Sequence, residues 1–168
     1  SLVAHRFSGC AIDEAELEWF SSCLDGATGA EIEEATNGAI AAAVIEAINE
    51  ITAGKAIIST GVGQHQMWAA QYFDFRHPRL WLTSGSMGTM GFGLPAAIGA
   101  QFAQPGLLVI DVDGDASIRM NLGELETVTT YELPVKVLVL NNFGDGMVKQ
   151  WQKLYYKGRL SASDKSLR

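Results

Sequence analysis

Two short apolar runs, Leu107-Leu-Val-Ile-Asp-Val112 and Val135-Lys-Val-Leu-Val-Leu140, flank a stretch in which Leu122, Leu125 and Val128 recur at helical spacing. The runs read as buried strands, and Asn121–Tyr131 between them reads as a helix that ends before Pro134. Strand, helix, strand of this length is a βαβ unit with two parallel strands. The alternation extends upstream. Asn37–Thr52 is Ala-rich, with Ile40, Val44, Ile48 and Ile51 at helical spacing, Asn37 as a candidate N-cap and Gly54 as a stop. Lys55–Thr60 then reads as a strand, followed by a glycine turn and a helix through Met67, Trp68 and Tyr72. Leu80–Thr83 is a further strand, and Phe92–Phe102 is a glycine-punctuated apolar helix. The last helix, Met147–Tyr156, carries Met147, Val148, Trp151 and Tyr155 on one face, a stripe that ordinarily belongs to a core. The succession predicts an α/β three-layer sandwich, a mainly parallel sheet with helices on both faces.

Composition adds limits. The 168 residues are enough for one domain, and the formal net charge of −7 argues against a nucleic-acid partner. No apolar run reaches the length that crosses a bilayer. Residues 1–36 read as an acidic connector ahead of a domain over 37–168: between Phe7 and Gly54 there are ten acidic residues and no Lys or Arg. Within that connector Asp13–Leu24 has the spacing of a short amphipathic helix. Cys10 and Cys23 form no Cys-x-x-Cys pair and the three histidines are scattered, which argues against zinc and for reduced thiols. The segment from Ser161 onward shows no pattern and is expected to be mobile.

The candidate chemistry lies just past the ends of the predicted strands. Asp115 follows the first strand of the βαβ unit and Asn142 follows the second. Neighbouring strands lie about 5 Å apart, so both side chains can reach one small cation. A carboxylate, an amide oxygen and a loop carbonyl suit Mg²⁺, a hard ion that prefers oxygen ligands. Gly61-Val-Gly-Gln-His65 leads from a strand into a helix N-terminus, a place where free N–H groups meet phosphate. On spacing alone His65 is equally a capping or core histidine, Met90 is more often core filler, and a lone Gly-Asp is more often a turn.

Four linked motifs carry a resemblance. Gly61-Val-Gly-Gln-His-Gln-Met-Trp68, Thr89-Met-Gly-Phe-Gly-Leu-Pro-Ala-Ala-Ile-Gly99, Gly114-Asp115 with Asn141-Asn142, and Gly146-Met-Val-Lys-Gln-Trp-Gln152 together resemble the catalytic subunit of acetohydroxyacid synthase (acetolactate synthase). That family uses thiamine diphosphate (ThDP), and the resemblance implies the ThDP-binding fold. It also implies Asp115, Asn142 and the Gly144 carbonyl as Mg²⁺ ligands. Gln64, His65 and Gly114, Asp115, Ala116 and Ser117 would lie against the diphosphate. The Gly88 carbonyl and the Met90 N–H would hold the aminopyrimidine, with the Met90 side chain forcing the bent cofactor conformation. Met147, which also borders the cofactor, would line a substrate channel with Val148 and Trp151. The chain departs from the family pattern at Ser86-Met87, where side chains are expected to alter pocket width, and at Ala116, where a methyl requires negative φ.

The resemblance further implies a parent that condenses two pyruvates, or pyruvate with 2-oxobutyrate, early in branched-chain amino-acid synthesis. Such a parent is a homodimer or tetramer, with a regulatory subunit among its partners. It would be cytoplasmic in a bacterium and plastid or mitochondrial in a eukaryote. The glutamate that protonates the pyrimidine belongs to another domain of that family and is not found here, nor are the middle domain and the usual C-terminal continuation. The chain alone is therefore expected to be inactive. Another ThDP carboligase or decarboxylase, or a non-catalytic module, is the alternative. A nucleotide-binding domain lacks its phosphate-loop and dinucleotide fingerprints.

Overall fold

A computed structural model describes residues 29–166. The helix expected over Asp13–Leu24 and both cysteines lie outside them. The chain divides into two compact units, Ser1–Ala43 and Val44–Arg168. In chain order the elements are α1 (Gly29–Thr52), β1 (Ile57–Thr60), α2 (Gln64–Tyr72), β2 (Trp81–Thr83), α3 (Gly93–Ala103), β3 (Val109–Gly114), α4 (Asp115–Ile118), a 3₁₀ turn (Arg119–Glu124), α5 (Leu125–Thr130), β4 (Lys136–Leu140) and α6 (Gly146–Tyr155).

The four strands form one wholly parallel sheet in the order β2-β1-β3-β4. Ile58, Ile110 and Val112 face one side, where they meet Ile45 of α1 and Ala69 of α2. Ile57 and Val109 face the other and meet Ala97 of α3. Helices thus cover both faces, as the alternation of elements predicts. From β1 the chain moves outward to β2, then returns past β1 to β3 and on to β4. The connections diverge between β1 and β3, and in open α/β sheets the crevice past the strand ends at such a point is where ligands bind.

Several boundaries differ from the sequence reading. α1 begins at Gly29, so Asn37 is interior to the helix and caps nothing. The Ala- and Glu-rich stretch before it is a good helix former, and one Asn-Gly costs only about 1 kcal/mol of propensity. β3 sits later than expected: Leu107 and Leu108 are half exposed, while Asp113 and Gly114 belong to the strand. The helix expected over Asn121–Tyr131 is broken. Asn121 leaves helical geometry (φ −134°) because its side-chain amide donates to the Gly91 carbonyl at 2.7 Å. Leu122 and Leu125 are exposed, and none of α6's aromatic stripe is buried. The tail is paired rather than patternless. Gly144 bridges Asp164, the Asp145 amide donates to the Ser163 carbonyl, and the Lys165 amide donates to the Phe143 carbonyl. No described helix is long and apolar enough to cross a membrane.

Candidate functional site

Five segments meet in one cleft at the carboxyl end of the sheet. The Gly61–Gln64 turn leaves β1 and opens α2. The 84–91 loop leaves β2. Gly114 passes from β3 directly into α4. Asn142–Asp145 leaves β4, and Gly146–Val148 begins α6. The cleft is lined by Gln64, His65, Gly88, Met90, Gly114, Asp115, Ala116, Ser117, Asn142, Gly144, Met147 and Val148. Every candidate contact to cofactor or metal therefore lies in one place. Trp151 does not: it is 58 % exposed and borders an adjoining groove with Arg159 and with Val148, which lines both.

Asp115 opens α4 and is only 6 % exposed. Neither of its carboxylate oxygens has a hydrogen-bond partner. Its charged neighbour is Arg119, one turn on, with Nη2 3.7 Å from Oδ2 and the arginine side chain half exposed. A buried carboxylate so poorly satisfied is costly, and a bound cation is one of the few things that relieves it. Asn142 follows β4, whose Leu140 pairs with Gly114, so the two candidate ligands leave adjacent strands at the same end. The Asn142 amide donates to Gln64 Oε1 at 3.3 Å, which leaves the amide oxygen as its ligating atom. One carboxylate, one amide oxygen and one main-chain carbonyl at Gly144 make a hard oxygen set. Among the described residues no three His, Cys, Asp or Glu side chains stand together.

The glycines of the cleft are set by close approach. A Cβ at Gly146 would overlap Gln64 Oε1 and Asn142 Nδ2, and one at Gly144 would stand 2.5 Å from the Ser163 carbonyl. Gly88 (φ +63°) and Gly91 (φ +83°) hold the 84–91 loop in the left-handed region that favours glycine. Ala116 has no positive φ and sits in helical backbone, so its methyl is accommodated. Met87 is 88 % exposed and, like Ser86, does not line the cleft, so these side chains do not set its width. Asp145 forms an ion pair with Lys165 at 2.6 Å and fixes the tail.

Ser117 is expected at the diphosphate by resemblance alone, and Asp111 and Asp113 are not among the expected site residues. The Ser117 hydroxyl oxygen accepts from the Gly91 amide (3.0 Å) and the Val62 amide (3.3 Å), tying together the loops on either side of the cleft. Asp111 and Asp113 are wholly buried on one face of β3. Asp113 Oδ1 accepts from the Gly114 amide at 2.8 Å and lies 3.4 Å from His65 Nε2. Asp111 has no hydrogen-bond partner at either oxygen, and burial followed by the Asp113 charge pushes its carboxyl up to about 8. Two acids alternating in an otherwise apolar strand were the signal available in the sequence.

The family model for the thiamine pyrophosphate enzyme, C-terminal TPP binding domain, matches residues 61–167. The chain is 60 % identical over 113 residues to the chloroplastic acetolactate synthase of Arabidopsis thaliana, covering 67 % of this chain and 17 % of the relative. It is 59 % identical over 113 residues to acetolactate synthase 3, chloroplastic, of Brassica napus, with the same two shares of 67 % and 17 %. Acetolactate synthase 1, chloroplastic, of Oryza sativa subsp. japonica is 58 % identical over 113 residues, 67 % of this chain and 18 % of the relative. The chain thus spans under a fifth of the length of these relatives.

Proposed function

The chain belongs to the thiamine pyrophosphate enzymes through its C-terminal TPP-binding domain, and on that premise we propose that it is the ThDP- and Mg²⁺-binding domain of a plastid acetolactate synthase. The parent would take pyruvate and 2-oxobutyrate as substrates, act as a homodimer or tetramer and accept a regulatory subunit. The relatives named above, all chloroplastic acetolactate synthases, support the parent and its compartment.

The observation that carries the reading is the buried, unsatisfied Asp115 carboxylate in one cleft with Asn142, past the ends of the adjacent strands β3 and β4. Asp115, the Asn142 amide oxygen and the Gly144 carbonyl would hold Mg²⁺, which prefers to share its remaining positions with phosphate and water. Gln64, His65 and the backbone of Gly114–Ser117 would face the diphosphate. Gly88 and Met90 would grip the aminopyrimidine, with the Met90 side chain as wedge. Met147 and Val148 would wall the substrate side. When bound, ThDP supplies the thiazolium carbon that adds to a 2-oxo acid and accepts the electrons of decarboxylation. The chain's own work is to anchor, orient and exclude water.

Titration calorimetry with ThDP, with and without Mg²⁺, tests the site. Wild-type chain should bind only with the metal, and Asp115→Ala should abolish that binding. Affinity unchanged by the substitution would end the ligand assignment. Purified alone, the chain should make no acetolactate from pyruvate.

A further inference from the structure

The 84–91 loop is held at both ends by side chains from other elements. At its start the Gln66 amide of α2 donates to Thr83 Oγ1 at 2.7 Å and to the Ser84 carbonyl at 3.3 Å. At its end both backbone groups of Gly91 are engaged. Its amide donates to Ser117 Oγ at 3.0 Å, and its carbonyl accepts from Asn121 Nδ2 at 2.7 Å. Gly91 is buried at φ +83°, and a Cβ there would come 2.9 Å from both Asn121 Nδ2 and Met120 Cβ. One helical turn on from that carbonyl stands Pro95, in the first turn of α3, which has no N–H to offer it. Asn121 differs from its neighbours. It is half-buried in a stretch, 119–126, whose other residues are exposed, and it leaves helical geometry to make the bond.

We propose that Asn121 is a positioning residue for Met90: by holding the Gly91 carbonyl it fixes the backbone beside Met90, and so sets the 84–91 loop for the flat ring of the ligand before the ligand arrives. This rests on the reading of Gly88 and Met90 given above. A glycine at positive φ enters and leaves that region with little cost. The Gly91 amide belongs to the same peptide as the Met90 carbonyl, so bonds to that amide and to the Gly91 carbonyl fix both peptide planes around the hinge. Asn121 does not line the cleft, whereas Met90 does, so it acts through Gly91. Ser117 and Asn121 both lie on the segment that opens with Asp115, so the stretch carrying the candidate metal ligand also carries the clamp on the loop. A ligand that needs the held loop binds less tightly in proportion as the loop is held less often. Inorganic pyrophosphate, which has no ring, does not need it.

The test is titration calorimetry of the chain with ThDP and, separately, with inorganic pyrophosphate, both with Mg²⁺. Asn121→Ala should weaken ThDP binding about three- to tenfold, the factor that a typical net hydrogen bond represents, and leave pyrophosphate binding unchanged. Asn121→Asp keeps the shape, has no hydrogen to give at neutral pH, and should show the same split, so the comparison survives if one variant does not fold. Equal losses for both ligands would make Asn121 merely structural and overturn the proposal, as would unchanged affinity for ThDP. Wild type that binds pyrophosphate as tightly as ThDP would overturn it too, since the loop would then grip nothing. Hydrogen exchange without ligand judges the clamp by itself. In either variant the Gly91 amide should exchange faster, while the Val62 amide, bonded to the same Ser117 hydroxyl, should not. Unchanged exchange at Gly91 would refute the clamp, whereas failure of wild type to bind pyrophosphate would count against the site itself.

Discussion

Replacing Asp111 by Asn should flatten the pH dependence of this domain's stability. The carboxyl is wholly buried, has no hydrogen-bond partner, and shares a strand face with Asp113. Burial first, and the Asp113 charge second, raise it from 3.8 to about 8. The folded chain therefore holds this proton more tightly than the unfolded chain. Its contribution to stability is complete below about pH 4 and is lost as pH climbs toward 8. Each unit in that window is worth about 1.4 kcal/mol, so a step from pH 5.5 to 7.5 removes up to ~3 kcal/mol. With a urea m-value of ~2 kcal/mol/M, the wild-type midpoint should drop by up to ~1.4 M between those two conditions. Asn has the same shape and no titrating proton, so its midpoint should drop by clearly less. The ionisable groups other than Asp113, which interacts with Asp111 directly, are common to both chains and cancel in the comparison. Parallel urea melts of the two proteins at both pH values decide it. Equal shifts would mean that Asp111 is charged in the folded state and that its burial is relieved in some other way.

Other substitutions test the rest of the cleft. Gly93→Ala puts a Cβ onto Asp111 Oδ1 and 2.6 Å from the Gly61 amide nitrogen; neither can retreat, so melting should fall by an amount corresponding to roughly 2–3 kcal/mol of overpacking. Ser117→Ala leaves the Gly91 and Val62 amides without their acceptor, at about 1–3 kcal/mol per orphaned donor, and hydrogen exchange at both amides should quicken while that of β3 does not. Arg119→Met removes the guanidinium 3.7 Å from Asp115; discounted for its exposure, the pair is worth under about 1 kcal/mol, so Mg²⁺ affinity should rise two- to fivefold. A fall instead would assign Arg119 to the anionic ligand rather than to competition with the metal.

The fold was legible because its signals are strong where the sheet is central. Ile57–Ile58 and Val109–Ile110 are apolar on both faces, as parallel strands covered by helices must be, and their partners Ile45, Ala69 and Ala97 sit at helical spacing. Legibility fails where tertiary contacts override local preference. Nothing near Asn121 announces that its side chain will leave the helix to hold Gly91, or that α5 will be cut short by it. The stripes over Leu122–Val128 and on α6 have helical periodicity, yet Leu122, Leu125, Trp151 and Tyr155 stay exposed. Periodicity shows which residues share a face; it cannot show that the face is covered. The tail was missed for a related reason. Its order comes from backbone pairing with Phe143–Asp145 and from Lys165 on Asp145, contacts that side-chain pattern does not encode.

The site divides along the same line. Asp115 and Asn142 were readable because a βαβ unit fixes which strand ends are adjacent, and the observed register of Gly114 on Leu140 supplies that adjacency. Asp111 and Asp113 were not, because in the sequence they pass for interruptions of an apolar strand. Their placement follows from period two: with Ile110 and Val112 committed to the α1–α2 face, both acids must turn toward the opposite face, where α3 packs. Burying two carboxylates there is unfavourable for the fold by itself. Gly61 and Gly93 make the room, since a Cβ at either would strike one of the acids. Glycines and acids are therefore one device, and neither is intelligible as a core-packing choice alone. Combining Gly93→Ala with Asp111→Ala gives this a direct form. If the glycine exists to admit the acid, the double variant should recover part of the stability that Gly93→Ala loses, leaving only the approach to the Gly61 amide. Additive losses in a double-mutant cycle would show that the two positions are independent.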